Sequence, residues 1–326
     1  MNLDFLFWII LFLIGYFSIY FFADYIIDVL EDFSEIFTIS PVIIGMFILG
    51  IDLEESIVSL ISAYNGFPYL SLGNLIGNTI IAVTIAFGLP ALFLKFEFRQ
   101  IPLFYYGILL IGGISITISM ITPQYLFLFA LINLLIFGTH LINSINVQKR
   151  YSEFLSTKES KNPVNTIISK TDEEDEEIRS LIVIKIIFSL IVIFFGGEIL
   201  ITSAEQLIVY TGLSETFFGL IIMAFVTNVE EFWLIVKAIQ KGQTELGISA
   251  QIGKILWNIT LIFGICGLII IQFEFETIML LSSIICLTLL LLLVFSLLKY
   301  KLSASTGLLF FVILLLYAGL NISFIL

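Results

Sequence analysis

Ten apolar stretches, separated by short polar segments, make up most of this 326-residue sequence. Each stretch is long enough to form a helix of about 20 residues, the length that crosses the roughly 30 Å of hydrocarbon in a bilayer. The pattern therefore predicts an all-α membrane protein with ten transmembrane helices. The predicted spans are 3–27, 38–63, 71–94, 101–120, 124–146, 181–209, 214–239, 246–271, 275–298 and 303–325.

The amino-acid composition indicates the same class of protein. Apolar residues make up 60% of the chain and charged residues 12%, and a soluble domain of this size could not bury so much apolar surface. The first span continues through Phe21 and Phe22 without a small-residue cleavage pattern, so we expect it to remain in the mature protein. The expected partner is the lipid of the cell membrane, and no nucleic-acid partner is expected.

The distribution of Lys and Arg predicts the orientation. If the ten spans alternate in direction, thirteen basic residues fall in loops on one side of the membrane and none on the other. Basic loop residues concentrate on the cytoplasmic side, so both termini are expected to be extracytoplasmic. One basic residue is left over: Lys254 lies inside the eighth predicted span. The thirteen are Lys95, Arg99, Lys149, Arg150, Lys158, Lys161, Lys170, Arg179, Lys185, Lys237, Lys241, Lys299 and Lys301.

A long polar segment divides the chain into two groups of five spans. The sequence therefore predicts a first five-helix repeat over 1–146, a charged cytoplasmic loop over 147–180 and a second five-helix repeat over 181–326. The loop contains the acidic run 172–177, which is typical of a solvated segment; a regulatory cation-binding patch is the alternative.

The two groups of spans share short motifs. Leu53-Glu54-Glu55 corresponds to Val229-Glu230-Glu231, and Ile76-Gly77-Asn78 corresponds to Ile252-Gly253-Lys254, at a common offset of 176 residues. Because five is an odd number, the second copy would enter the membrane from the opposite side. The sequence therefore predicts two inverted-topology repeats, an arrangement that places substrate sites near the bilayer midplane.

Five carboxylates interrupt the apolar pattern of the second and seventh spans. On an insertion scale each central acid costs about 2.5–3.5 kcal/mol, so five exposed to lipid would cost on the order of 12–17 kcal/mol. We expect them to face one another, a cation or water; protonated structural groups, or loops wrongly assigned to the membrane, are the alternative. The five are Asp52, Glu54, Glu55, Glu230 and Glu231.

Helical spacing arranges the polar residues in four stripes, two from each half of the chain. Hard cations such as calcium bind carboxylate, carbonyl and amide oxygens, so the stripes predict a cation site. Glu54 and Glu230 are turned about 100° away from their neighbouring acids and are expected to support the site from outside it. The stripes are Asp52, Glu55, Ser59 and Ser62; Asn74 and Asn78; Asn228 and Glu231; and Gln251, Lys254 and Asn258.

The segments 50–55 and 71–78 resemble the first alpha-repeat of the sodium/calcium exchanger family, which belongs to the calcium/cation antiporter superfamily. The segments 224–231 and 252–254 resemble the second repeat. The family motifs read approximately Gly-Thr-Ser-Leu-Pro-Glu and Gly-Asn-x-Ile-Gly-Ser. The resemblance implies that Glu55 and Glu231 are the paired acids that ligate calcium. It implies further ion-ligand positions at Asp52, Asn78, Ala82, Thr227, Asn228, Lys254 and Asn258.

The sequence departs from the family motifs at several of these positions. Glu54 and Glu230 replace the prolines, and the serine of the first motif is Asp52 in one half and Asn228 in the other. The departure at Lys254, which replaces a serine that helps to bind sodium in relatives, has the largest chemical consequence.

An ammonium group only donates hydrogen bonds, so Lys254 cannot ligate a cation. It can occupy a cation's place and satisfy Glu55 or Glu231. Our hypothesis is that Lys254 replaces one bound sodium. Because burial favours the neutral form of a lysine, Lys254 is also a candidate carrier of a coupling proton. The alternative is a permanent ion pair that only holds helices together.

These observations together predict a secondary antiporter that moves a divalent cation, with calcium preferred, against protons or sodium by alternating access. Asn74 and Gln251 are expected to support the site. The alternatives are a transporter of a different cation and a non-transporting sensor or scaffold. An enzyme is not expected, because His140 is the only histidine and no Gly-x-Ser-x-Gly motif is present; no cofactor is expected besides the transported ions.

Overall fold

Almost all of the chain that the structure describes is helical. The structure is a computed structural model. It describes residues 3–37, 39–94, 96–97, 101–159, 172–211, 228, 231–232, 235–236, 238–240 and 244–323.

The described residues of the first half form seven helices, two π-helical segments and one 3-10 turn. They are α1 (Leu3–Phe37), α2 (Pro41–Ile44) with the π-helical turn Gly45–Leu49, α3 (Leu53–Tyr64), α4 (Pro68–Ile81) with the π-helical segment Ala82–Gly88, α5 (Leu89–Phe93), α6 (Leu103–Ile121), and the 3-10 turn Pro123–Tyr125 followed by α7 (Leu126–Glu159).

Within the described residues of the second half, five helices can be followed from end to end, and one of them continues into a third π-helical segment. They are α8 (Asp172–Thr211), α9 (Thr244–Leu256) with the π-helical segment Trp257–Ile262, α10 (Phe263–Ile270), α11 (Thr277–Leu297) and α12 (Ala304–Ser323). A short antiparallel ladder joins the two halves: β1 (Phe96–Glu97) pairs with β2 (Lys301–Leu302), a feature that the helical pattern did not predict.

Six helical stretches in the described part of the chain are long and apolar enough to cross a membrane. Most of the predicted span 214–239, including all of 214–227, lies outside the described residues, so the count of ten spans stays a prediction. The six are Pro68–Phe93, Leu103–Ile121, Pro123–Arg150, Thr244–Ile270, Thr277–Leu297 and Ala304–Ser323.

The helices on either side of the predicted loop 147–180 are longer than the apolar pattern indicates. Helix α7 continues to Glu159 and α8 begins at Asp172, so both helices extend into that segment. The acidic run 172–177 forms the first turns of α8, where negative charge is favourable because the helix dipole is positive at its N-terminus.

Helices α4 and α9 lie at the centre of the protein. All twelve residues of α4 from Leu70 to Ile81 are buried, and so are the ten residues of α9 from Gly247 to Leu256. Among the six apolar stretches, α12 is the least buried: 22% of its apolar window is buried, against 89% for Pro68–Phe93. The large apolar side chains on the outside are what a lipid-facing surface requires.

Backbones of the two halves meet beside the break in the second span. A Cβ on Gly253 would lie 2.5 Å from Cα and from the carbonyl oxygen of Met46, and a Cβ on Gly50 would lie 2.9 Å from Cα of Gly253. Gly45 is similarly close to the carbonyl oxygen of Leu246, at 2.9 Å. Only glycine permits this approach, which places the segment before Asp52 directly against α9.

We expect Gly253→Ala to destabilise the protein, because a methyl group would collide with backbone atoms that cannot rotate away. The expected cost is about 1–3 kcal/mol, typical of overpacking a well-packed interior. The measurement is thermal unfolding of the purified protein in detergent. Gly138→Ala is the matched control, since nothing lies within 4 Å of its added Cβ. Equal unfolding temperatures for the two variants would contradict the close contact.

Candidate cation-binding site

A break in the second predicted span positions the first carboxylates. Helix geometry ends at Leu49, and α3 begins at Leu53 with Asp52 as its N-cap. One carboxylate oxygen of Asp52 accepts a hydrogen bond from the backbone N–H of Glu55 at 3.2 Å. An acid three residues before a glutamate resembles the helix-start signal of a capping box. The break therefore places both acids at a helix N-terminus, on one side of α3.

Lys254 lies among three carboxylates. Its Nζ is 3.1 Å from Oδ2 of Asp52 and 3.2 Å from Oε1 of Glu55, and it donates a short hydrogen bond to Oε1 of Glu231. The side chains of Lys254 and Glu55 are 5% and 0% exposed, so the ion cluster is screened very little by water. We name Asp52, Glu55, Glu231 and Lys254 the ion cluster; its formal charge is −2.

A neutral pair of side chains mirrors one ion pair of the cluster. Asn228 Nδ2 donates to Oδ1 of Asn78 at 2.9 Å. At the offset of 176 residues, Asn228 is equivalent to Asp52, and Lys254 is equivalent to Asn78. The same pairing of positions therefore occurs twice, charged in one copy and uncharged in the other.

Several oxygens at the site remain available to accept a further contact. Asn258 Nδ2 donates a hydrogen bond to Oδ2 of Asp52 at 2.9 Å, so the amide oxygen Oδ1 of Asn258 takes no part in this bond. Oδ1 of Asn258 and Oε2 of both Glu55 and Glu231 are buried and have no hydrogen-bond partner among the described residues. Carboxylate and amide oxygens of this kind suit a hard cation.

The carboxylates converge on an ammonium group. No group of three or more His, Cys, Asp or Glu side chains within the described ranges is arranged to hold a metal ion. The Nζ of Lys254 instead occupies the point that the three acids share. A cation that used all three acids at once would have to displace this ammonium.

The structure brings together most, but not all, of the residues that the sequence analysis selected. Asn74 bonds to Ser59 instead of to the ion cluster, and the buried Oε1 of Gln251 has no partner in the described part of the chain. Thr227 and Glu230 lie outside the described residues, and the side chain of Glu54 does as well. The remaining predicted side chains form two groups: Asn78 bonds to Asn228, and contacts through Lys254 and Asp52 join Asp52, Glu55, Glu231, Lys254 and Asn258.

Two residues that the sequence analysis did not select support Asp52. Ser56 donates a short hydrogen bond to the backbone carbonyl of Asp52, and Trp257 Nε1 donates to Oγ of Ser56 at 2.8 Å. The spacing of four residues from Asp52 to Ser56 was the available signal for the first. No sequence pattern indicated Trp257, because its bond to Ser56 depends on how the π-helical segment after α9 packs against α3.

Three of the four polar stretches adjoin a π-helical segment; the surroundings of the fourth, Asn228 and Glu231, lie largely outside the described residues. Gly45–Leu49 precedes Asp52, Ala82–Gly88 follows Asn78, and Trp257–Ile262 follows Lys254 and contains Asn258. Wider π-helical turns are frequent at functional sites. They also place Ala82, whose position the family resemblance assigned to an ion ligand, at the start of an irregular turn.

Comparison with known proteins identifies related sequences. The sequence profile of the sodium/calcium exchanger protein family matches residues 7–146 and 181–323. The inner membrane protein YrbG of Escherichia coli (strain K12) is 25% identical over 273 residues, which cover 79% of each chain.

Solved structures of the sodium-calcium exchanger NCX_Mj share the fold. The form soaked with 2.5 mM Na+ and 0.1 mM Ca2+ is 18% identical and covers 98% of this chain and 99% of its own, with a TM-score of 0.71. The form soaked with 10 mM Na+ and zero Ca2+ is 17% identical, with coverage of 97% and 99% and a TM-score of 0.69. At this identity the likeness establishes the fold alone.

We expect Lys254→Met to destabilise the protein by about 3–5 kcal/mol, because it leaves buried carboxylates without a counter-charge. Adding Asp52→Asn removes one of these charges and should recover about 1–3 kcal/mol, the coupling typical of contacting residues. Denaturant unfolding of the purified protein measures both changes.

Lys299→Met is the control for this cycle, since that ammonium lies 4.2 Å from the Phe295 ring centroid as a surface cation–π contact. Its expected cost is about 1 kcal/mol or less. Additive effects of Lys254→Met and Asp52→Asn would contradict an energetically coupled ion cluster.

Proposed function

This chain belongs to the sodium/calcium exchanger family, and on that premise we propose that it is a secondary antiporter of divalent cations, with calcium as the preferred substrate and protons or sodium as the counter-ion. The observation that carries the proposal is the ion cluster, in which two glutamates equivalent at the 176-residue offset, the buried Glu55 and the partly buried Glu231, both contact Lys254. Membership of an exchanger family supports cation antiport as the class of activity.

We propose that the chain has ten transmembrane helices in two inverted repeats, 1–146 and 181–326, with cytoplasmic residues 147–180 between them and both termini extracytoplasmic. Separate matches of the family profile to 7–146 and 181–323 support the division into repeats. The thirteen basic loop residues on one side support the orientation.

The charges of the ion cluster support a divalent substrate. Nζ of Lys254 lies 3.1 Å from Oδ2 of Asp52, and the charges of these two groups cancel. The net charge of −2 is therefore that of Glu55 and Glu231 together. One divalent cation neutralises this charge. The proposed further ligands are Asp52, Asn78, Thr227, Asn228 and Asn258. The proposed supporting residues are Glu54, Asn74, Glu230 and Gln251.

In the proposed cycle the two halves of the chain expose the ion cluster to each side of the membrane in turn. When the cation binds Glu55 and Glu231, Lys254 moves from the point that the three acids share and keeps its bond to Asp52. When the cation leaves, the ammonium returns and stabilises the carboxylates. Lys254 in this way takes the place of one bound sodium ion.

A non-transporting sensor or scaffold is the second candidate. The observation that favours it is the contact of Lys254 with all three acids, which fills the position a bridging cation would use. A transporter of a different cation is the third reading, in which Lys254 and the added acid Asp52 define a new selectivity. Flux measurements separate these readings.

We expect Glu55→Gln and Glu231→Gln each to lower calcium flux by about 100-fold or more, because each removes a charge that would ligate the cation. Loss of a hydrogen-bonded buried charge is worth about 3 kcal/mol or more, which corresponds to this factor. The assay is radioactive calcium uptake into proteoliposomes, with proton and sodium gradients imposed separately. Glu274→Gln, an exposed acid, is the control and should retain flux. Absence of cation flux in the wild-type protein under every gradient would support the sensor reading.

We expect Lys254→Ser to change the counter-ion requirement. A hydroxyl oxygen can ligate sodium where the ammonium could not, so calcium flux should become dependent on sodium or more strongly dependent on it. The measurement is flux against the sodium gradient at a fixed proton gradient, compared with Lys299→Ser. An unchanged ion requirement would exclude a coupling role and leave Lys254 as a structural ion-pair partner.

A further inference from the structure

A group of neutral oxygens lies one helical turn beyond the ion cluster, between α3 and α4. Asn74 Nδ2 donates to Oγ of Ser59 at 3.1 Å, and Ser71 Oγ donates to the carbonyl oxygen of Ser59 at 2.8 Å. Ser62 lies on the same face of α3, one turn beyond Ser59. All four side chains are 0% exposed. We name Ser59, Ser62, Ser71 and Asn74 the hydroxyl–amide cluster.

Two acceptors of this cluster are unsatisfied. Oδ1 of Asn74 and Oγ of Ser62 are buried and have no hydrogen-bond partner among the residues that the structure describes. Glu55, which is one turn from Ser59 on α3, also has one carboxylate oxygen without a partner there. Burying such acceptors is unfavourable unless another group contacts them. The unsatisfied atoms are all oxygens, and Glu55 on the same helix carries a negative charge.

The second half of the chain shows that packing does not require these polar groups. At the 176-residue offset the four positions become Ile235, Ala238, Gly247 and Ala250. These residues pack together as their counterparts do: a Cβ on Gly247 would lie 2.6 Å from Cβ of Ala238 and 3.7 Å from Cα of Ile235. Apolar residues therefore build this contact in one half, and the hydroxyl and amide groups of the other half have another role.

We propose that the hydroxyl–amide cluster is a separate subsite for a monovalent metal cation such as Na+. Its oxygens carry no formal charge. They can replace the hydration shell of a monovalent cation, but they neutralise the charge of a divalent cation poorly. The ion cluster, with a net charge of −2, supplies the attraction. The subsite rests on the proposed function only in treating those carboxylates as a cation site.

The position of the subsite assigns it to one side of the membrane. It lies between the ion cluster and residues 65–67, which connect α3 to α4 and are predicted to be extracytoplasmic. The equivalent positions on the other side are Ile235 and Ala238, which carry no side-chain oxygen. A cation arriving past residues 65–67 therefore meets hydroxyl and amide oxygens before it reaches the acids.

The test is binding of radioactive Na+ to the purified full-length protein by a scintillation proximity assay. We expect Asn74→Leu with Ser59→Ala to raise the apparent Kd for Na+ about tenfold or more. The control is Asn133→Leu with Ser115→Ala, which removes the same kind of pair elsewhere: Asn133 Nδ2 donates to Oγ of Ser115 at 2.9 Å. Oδ1 of Asn133 is likewise buried without a partner in the described ranges. The control should bind Na+ as the wild type does.

A gain-of-binding variant covers the case in which the leucine variant fails to fold. Asn74→Asp adds a negative ligand and should tighten Na+ binding, whereas Asn133→Asp should not. Unchanged Na+ binding in both cluster variants, together with its loss in Glu55→Gln, would overturn the subsite and leave the proposed antiport standing. Na+ binding that depends on Asn74 in a protein without calcium flux would support the subsite and reject the antiport.

Discussion

The interaction on which this structure depends is the contact of one buried ammonium with three carboxylates, two of them buried and one partly buried. Removing Lys254 would leave the acids in a low-dielectric interior without a counter-charge, and removing the acids would leave the ammonium without one. The break before α3, the N-cap at Asp52 and the glycine contacts beside α9 all serve to bring these charges together. The surrounding helices are therefore organised around electrostatic compensation as much as around apolar packing.

The equivalence of positions in the two halves clarifies what Lys254 does. Asp52 and Lys254 are equivalent to Asn228 and Asn78, so a charged pair in one copy corresponds to a neutral pair in the other. Two opposite charges introduced together leave the net charge of the site unchanged. Lys254 is therefore best understood with Asp52, as half of an internal ion pair beside the two glutamates, and not as an isolated substitution.

Much of the fold and part of the site followed from the sequence, for identifiable reasons. Apolar length predicted the helices, and the two acidic motifs at a fixed offset predicted that Glu55 and Glu231 belong together. The ends of α7 and α8 were missed because polar helical turns outside the bilayer carry no apolar signal. The π-helical segments, the β1–β2 ladder and the Trp257–Ser56 bond depend on contacts between distant segments, which spacing within one segment does not encode. Asn74 was expected near the acids, but its amide bonds to Ser59 because α4 presents it one turn away from Asn78.

The contact between Met46 and Gly253 has a mechanical consequence. No side chain of Gly253 separates the two backbones there, so the contact would be the pivot if one segment rolled over the other in the proposed cycle. Lys254 follows Gly253 directly, so the charges lie next to the axis of that rolling motion and would be displaced least by it. The far ends of the same helices would sweep the largest arcs. Such a pivot would keep the acids and the ammonium within reach of one another while the far ends of the helices move. The proposed cycle requires both, because it exposes the ion cluster to each side of the membrane in turn.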